Sequence, residues 1–188
     1  MDKRTEIISQ ALPLFASYGY EGVSVQQIVQ AAGVTKPTLY YYFESKRGLL
    51  DVILEQYFDE LYAATQQGAV YEGDLTITLR SIARNYFEYA EANKQFYRMQ
   101  LTLWFSPPHS EAYSAVSPYY EKQYQHIERV FVKAAEQHGN MKDRHQDYTT
   151  TFLGILNTYI GLILNENKQP HEDLVYRVVH QFMHGILS

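Results

Sequence analysis

Apolar residues recur along this chain at the three-to-four spacing of amphipathic helices, from its beginning almost to its end. Ile7, Ile8, Ala11, Leu12, Phe15 and Ala16 form the first stripe, and Gly19 is placed to close it as a C-terminal cap. Pro13 falls inside that stripe, where its missing N–H predicts a local bend. Ser24 and Gln27 then form the S-x-x-Q pattern of a capping box, with Val23 and Ile28 at the positions of a hydrophobic staple. They open a short helix over 25–32, stopped at Gly33, a position suited to positive φ. Thr35 caps a third helix, with Pro37 tolerated in its first turn and Leu39 and Phe43 on its buried side. Ser45 caps a longer fourth helix carrying Leu49, Leu50, Ile53, Tyr57, Leu61 and Tyr62.

Periodicity lapses over 66–73, and further helices are predicted near 74–92, 93–105, 110–138, 143–165 and 171–187. Pro107-Pro108, His138-Gly139-Asn140 and the segment 167–170 separate them, and Pro118 is expected to bend or split the helix over 110–138. Strand-like alternation and internal repeats are both missing from the sequence. The fold expected is all-α, with about nine helices.

Composition narrows the class. The chain has 188 residues, 46% hydrophobic and 20% charged, with Pro and Gly together only 16. A disordered or collagen-like chain is excluded, and one compact domain, or one domain with a small second lobe, is expected. With no cysteine, disulfides, Cys-ligated zinc, Fe–S clusters and thiol catalysis drop out together, which fits a reducing cytoplasm. The N-terminal stretch has no apolar core of a signal peptide. The longest apolar runs, Leu39 to Phe43 and Tyr159 to Leu164, fall far short of the ~20 residues of a membrane span. A soluble, cytoplasmic protein without membrane contact follows. Net charge is −5, against indiscriminate coating of nucleic acid. Residues 1–50 hold five Lys/Arg against four Asp/Glu, whereas the remainder hold 11 against 17.

Chemistry concentrates near the start. Two short helices joined by Ala32-Gly33-Val34, the second opening Thr35-Lys36-Pro37-Thr38, form a helix-turn-helix pattern. An ordinary αα-corner has the same outline, but the outer face of the second helix is unusual. Thr35, Lys36, Thr38, Tyr40, Tyr41 and Tyr42 are more Tyr and Thr than one small core can use. Hydroxyls reach phosphates and base edges in a major groove, and methyls and rings meet thymine methyls. The amino ends of both helices offer N–H groups to phosphates, and Lys46 can anchor the far side of the groove.

The stretch Ile7–Leu54, above all GYEGVSVQQIVQAAGVTKPTLYYYFESKRGLLDVIL, resembles the N-terminal DNA-binding region of TetR-family transcriptional regulators. Beyond about residue 60 the resemblance is architectural. It implies a helix-turn-helix DNA-binding domain over 1–48 and a helical effector-binding and dimerisation domain over 49–188. It further implies that Ser24 touches phosphate at the start of helix 2 and that Gln26 reaches a base. Thr35, Lys36, Pro37, Thr38, Tyr40 and Tyr41 match the groove-facing positions of the recognition helix. Tyr42 matches a position often held by His, and Lys46 matches the lysine that opens helix 4 on the DNA backbone. Pro13 and Gly48 depart from the pattern away from the DNA face.

Other readings are weaker. His180 and His184 stand i, i+4 on one helix, a chelating spacing, but no H-E-x-x-H and no E-x-x-H pair completes a site, so no metal or cofactor is expected. Phosphate-binding Gly-rich loops and a nucleophile elbow are missing as well. Thr151, Gly154, Thr158, Gly161 and Asn165 form a stripe of small residues, with Phe152, Ile155, Leu156, Tyr159, Ile160 and Ile163 opposite. The last helix adds Leu174, Val175, Val178, Val179, Phe182 and Ile186. Pattern alone fits intramolecular packing as well as association. The resemblance implies a homodimer through these two helices, with Thr151, Gly154, Thr158, Gly161, Leu174 and Val178 at the interface. It also implies an effector site among the aromatic middle helices, assigned to Trp104, Tyr120, Tyr124, Phe131, Asn157 and Tyr159. The function expected is a repressor released from a palindromic duplex-DNA operator by an unidentified small molecule. A helical ligand-binding or scaffold protein, and a small α-helical enzyme, are the alternatives.

Overall fold

The capping signals set the order of the elements. In the computed structural model, which describes residues 2–66, 68–166 and 171–185, nine α-helices follow one another. They are α1 (Lys3–Tyr18), α2 (Val25–Ala31), α3 (Lys36–Phe43), α4 (Lys46–Gln66), α5 (Leu75–Ala92), α6 (Lys94–Trp104), α7 (Glu111–Gln137), α8 (His145–Glu166) and α9 (Glu172–His184). A short 3-10 turn occupies Gly139–Met141, and no strand occurs among the described residues. The expected break over 167–170, the end of the last helix at Leu187 and the part given to Ile186 lie outside the described residues.

Both arms of the capping box form: the Gln27 N–H donates to Ser24 Oγ at 3.3 Å, and the Ser24 N–H donates to Gln27 Oε1 at 2.8 Å. Gly33 turns the chain out of α2 at φ 62°. Thr35 stands at the N-cap of α3, but its hydroxyl meets that of Thr38 at 2.9 Å instead of a backbone N–H. Ser45 Oγ accepts from the Gly48 N–H at 2.9 Å, and Asp74 Oδ1 from the Ile77 N–H at 2.9 Å, opening α4 and α5.

α7 is continuous through Pro118, so the expected split does not occur. A proline deletes one backbone bond. Ala112, Ala115 and Val116 before it and Ile127 and Val130 after it are all buried, and packing on both sides carries the helix across the gap. α1 likewise runs through Pro13.

The helices gather into two compact units, residues 1–59 with 93–119 and residues 60–92 with 120–188. The cuts fall inside α4, between α5 and α6, and inside α7, and the division expected at residue 48 runs through the first unit. In that unit α1 packs on α2, α3 and α6. Ile7, Ala11 and Phe15 of α1, Leu39 of α3, and Leu49, Leu50 and Ile53 of α4 are fully buried. Phe96 stacks on Tyr57 at 4.9 Å and meets Phe58 edge-on at 5.2 Å. Each such side chain stabilises the fold by ~1.5–3 kcal/mol.

In the second unit α5 packs against both α8 and α9. Phe131, Phe152 and Phe182 form an aromatic cluster with centroids 5.1–6.2 Å apart. The buried Tyr86 hydroxyl accepts from Gln123 Nε2 at 3.1 Å, and burial pushes the Tyr86 phenol far above its ordinary pKa. On the surface, the α9 carboxylate of Glu172 meets Arg84 at 2.7 Å and Arg80 at 3.3 Å.

Loss of the α2 cap is measurable. Ser24→Ala is expected to lower the free energy of unfolding by about 1 kcal/mol in urea denaturation, with Ser24→Asn close to wild type. Equal stability for Ser24→Ala would contradict the cap's role.

Candidate nucleic-acid interface

α2, the Gly33 turn and α3 place one row of side chains outward. Leu39 and Phe43 anchor α3 from beneath, and Ile28 and Val29 anchor α2. Ser24 at the N-cap of α2 and Gln26 within it, and Thr35, Lys36, Pro37, Tyr40 and Tyr41 at and along α3, are exposed. Thr38 and Tyr42 are half-buried at the margin of this face. Tyr41 is 82% exposed and rests edge-on against Tyr42 at 5.1 Å, so its ring adds almost nothing to the core. A rigid short helix with two hydroxyls, an ammonium and open tyrosine rings matches what a major groove presents.

Lys46 is positioned differently from a free phosphate anchor. Its Nζ donates to the Tyr20 carbonyl at 3.0 Å and to the Val23 carbonyl at 3.1 Å, and lies 4.0 Å from the centroid of the Tyr20 ring. Two of its three N–H donors therefore close the α1–α2 loop, leaving one for a ligand. Arg47 beside it bonds Asp51 Oδ1 at 2.7 Å, the Glu111 carbonyl at 3.1 Å and Ser114 Oγ at 2.9 Å. The Tyr20 hydroxyl donates to the Glu111 carboxylate. Burial and that carboxylate push the Tyr20 phenol well above its usual range. The first turns of α4 and α7 thus brace the head from behind.

α3 ends under strain. The Ser45 N–H donates to the Phe43 carbonyl at 2.6 Å across Glu44, whose φ is 62° and ψ −37°. This is the positive-φ γ-turn, an unfavourable conformation for a side-chain-bearing residue. Directly opposite, a Cβ on Gly48 would collide with the Phe43 carbonyl oxygen. Composition patterns contain neither feature, because both arise from where α4 returns against the end of α3.

Residues 7–53 match the model of the family described as bacterial regulatory proteins, tetR family. The likeness to this family holds for that stretch, from α1 into α4, about a quarter of the chain. The HTH-type transcriptional activator FasR of Mycolicibacterium smegmatis is 30% identical over 98 residues, 52% of this chain and 45% of that protein. The repressor KstR2 of Rhodococcus jostii is 31% identical over 91 residues, 48% of this chain and 45% of that protein. The matched stretch thus spans less than half the length of these relatives. Among solved structures, AibR in complex with isovaleryl coenzyme A and operator DNA shares the fold at a TM-score of 0.74 and 19% identity, over 96% of this chain and 97% of that one.

In the helical remainder of the chain, Thr151, Gly154 and Thr158 are exposed along α8, with Gly161 half-buried and Leu162 44% exposed. A Cβ on Gly154 or Gly161 would meet nothing within 4 Å, so nothing in the chain's own packing requires either glycine. Beside this stripe a groove of about 670 Å³ between α8 and α9 is lined by Tyr159, Leu162, Leu174 and Arg177, among others. Val178 is fully covered within its own chain. The six aromatic and amide residues given to an effector do not share one described cavity. Trp104 stacks on Tyr113 at 5.4 Å in the first unit. In the second, Phe131 belongs to the aromatic core and Tyr120 is buried. Tyr124 donates to the Gln146 carbonyl at 3.1 Å, Asn157 is half-buried and Tyr159 faces the α8–α9 groove. The His180 and His184 rings meet tilted with centroids 4.5 Å apart, and no group of three or more potential metal ligands stands together among the described residues. No helix among those residues is long and apolar enough to cross a membrane.

The strained turn predicts opposite effects at neighbouring positions. Glu44→Gly is expected to stabilise the protein by about 1 kcal/mol, because glycine adopts positive φ freely. Gly48→Ala is expected to destabilise it by about 1–3 kcal/mol through the backbone collision. Thermal unfolding of both variants checks the pair, and a stabilised Gly48→Ala would contradict the packing.

Proposed function

We propose that the chain is a sequence-specific transcriptional regulator that binds a palindromic duplex operator as a homodimer in the cytoplasm, with repression as its mode. The open tyrosine–threonine–lysine face of α3, rigidly backed by the Lys46 brace, carries the reading. Tyr40, Tyr41, Thr35, Lys36 and Thr38 enter the major groove, with Ser24 and the remaining Lys46 N–H on phosphates. Gln26 and Tyr42 flank the same groove, and Pro37 presets the first turn. The match to the tetR family over residues 7–53 supports this, as does the operator complex of AibR. The likeness to KstR2, a repressor, supports repression as the mode, and the comparable likeness to FasR, an activator, supports the opposite sign.

The stripe Thr151, Gly154, Thr158 and Gly161, with Leu174 at its edge, supports a two-fold interface in which small residues let a second copy's helices approach closely. Two heads related by that axis would meet half-sites about 34 Å apart, one helical turn of DNA. Release follows as a population shift: a small-molecule effector favours dimers whose heads miss that spacing. A differential affinity of about 1–3 kcal/mol gives roughly 5–150-fold release, and operator and effector must weaken each other equally. The isovaleryl coenzyme A held by AibR supports the ligand-responsive part of this reading.

Two substitutions test the reading surface. On a duplex selected by the protein, Tyr41→Ala is expected to weaken binding at least tenfold with unfolding temperature unchanged, since the ring is exposed. Lys36→Ala is expected to weaken all duplexes alike and to flatten the salt dependence by about one unit of slope. Wild-type affinity and slope in both variants would refute the placement of α3. For the dimer, Gly154→Arg is expected to give a folded monomer by light scattering, and an intact dimer would move the interface elsewhere.

A further inference from the structure

On the surface of the second unit, where α9 packs against α5, a line of side chains is joined end to end. Glu172 bonds Arg84 at 2.7 Å and Arg80 at 3.3 Å. The Arg80 guanidinium lies 5.4 Å from the centre of the Tyr176 ring, Tyr176 lies 5.4 Å from His180, and His180 lies 4.5 Å from His184. Tyr176, His180 and His184 follow i, i+4, i+8 along one stripe of α9, and all three are exposed.

Exposed histidines ordinarily rotate independently, and ordering them costs conformational entropy. Here the ordering is already present. Arg80 belongs to α5, so its contact with Tyr176 ties His180 to a second helix, and His184 rests in turn on His180. Neither imidazole forms a hydrogen bond or ion pair with any described residue. Each neutral ring therefore keeps a nitrogen lone pair for a ligand.

The separation of the rings decides what fits between them. A metal–imidazole bond is about 2.0–2.1 Å and a ring nitrogen lies about 1.1 Å from its ring centre, so two rings on neighbouring positions of one ion have centres about 4.5–5 Å apart. The observed 4.5 Å falls in that span. Electrostatics agree. Arg177, three residues before His180, is bonded to Asp173 at 2.8 Å, which offsets its charge. His184 is the last residue of α9, where the carbonyl end of a helix favours a cation. No third ligand joins the pair among the described residues, so water completes the shell.

We propose that His180 and His184 chelate a divalent late transition-metal ion on the last turns of α9, with Tyr176 as the residue that orients His180. Imidazole donors suit Cu²⁺, Ni²⁺ and Zn²⁺, whereas Mg²⁺ and Ca²⁺ take oxygen ligands. The site does not depend on the reading of the chain as a regulator.

Ni²⁺ is the probe, titrated calorimetrically into the full chain in a non-chelating buffer at mildly alkaline pH. One Ni²⁺ per chain is expected. Affinity is expected to be at least tenfold weaker in His180→Ala and in His184→Ala alike, because either change turns a chelate into a single donor. Tyr176→Ala is expected to weaken binding at least threefold by freeing the His180 ring. His109→Ala, an exposed histidine of the first unit, is expected to match the wild type. All the altered side chains are exposed, and unfolding temperature verifies that the variants stay folded. No saturable binding, equal affinity in the wild type and either α9 histidine variant, or the same loss in His109→Ala would each overturn the site. Wild-type affinity in Tyr176→Ala would overturn the orienting role.

Discussion

The geometry of the head depends on one ammonium group. In the α1–α2 loop the Tyr20 carbonyl accepts one bond, from the Val23 N–H at 3.3 Å, and the Val23 carbonyl lies outside any helix, where a backbone acceptor taken from water needs a donor. Lys46 Nζ donates to both carbonyls from the first residue of α4 while resting on the Tyr20 ring. This fixes the start of α4 against the loop that precedes α2. The same lysine opens the helix whose second residue, Arg47, reaches Glu111 and Ser114. A change at Lys46 would therefore disturb the position of α3 before any contact with a ligand was lost.

Strain and openness at α3 are linked. Phe43 and Leu39 are buried beneath the helix, so α3 cannot roll, and the γ-turn at Glu44 sends the chain straight into α4. The close pass of Gly48 beneath the Phe43 carbonyl allows that abrupt return. A helix held so tightly at both ends keeps Tyr40 and Tyr41 in the open without a core contact to restrain them. Such preorganisation reduces the ordering cost on association. The strain of the turn is offset by the apolar packing of α1, α3 and α4.

Local signals were legible in the sequence where a few neighbouring residues decide the outcome. The capping box at Ser24 and Gln27, the positive φ at Gly33 and the buried pair Leu39 and Phe43 are all set within one or two turns. The whole helical order, and the exposed face of α3, follow from that kind of information. Three features needed long-range packing. Pro118 does not split α7, because buried residues on either side outweigh one missing bond. Lys46 faces inward because of carbonyls more than twenty residues earlier in the chain. The aromatic residues of the middle helices shared a composition but not a place: Phe131 is core, Trp104 stacks on Tyr113, and Tyr159 lines an outer groove.

The most direct test of the central claim is selection from a random duplex pool by the purified full chain at moderate salt. The account predicts enrichment of a single inverted repeat whose half-sites lie about one helical turn apart, with two chains bound per duplex. A pool left unenriched by a folded protein freed of any bound small molecule would contradict it.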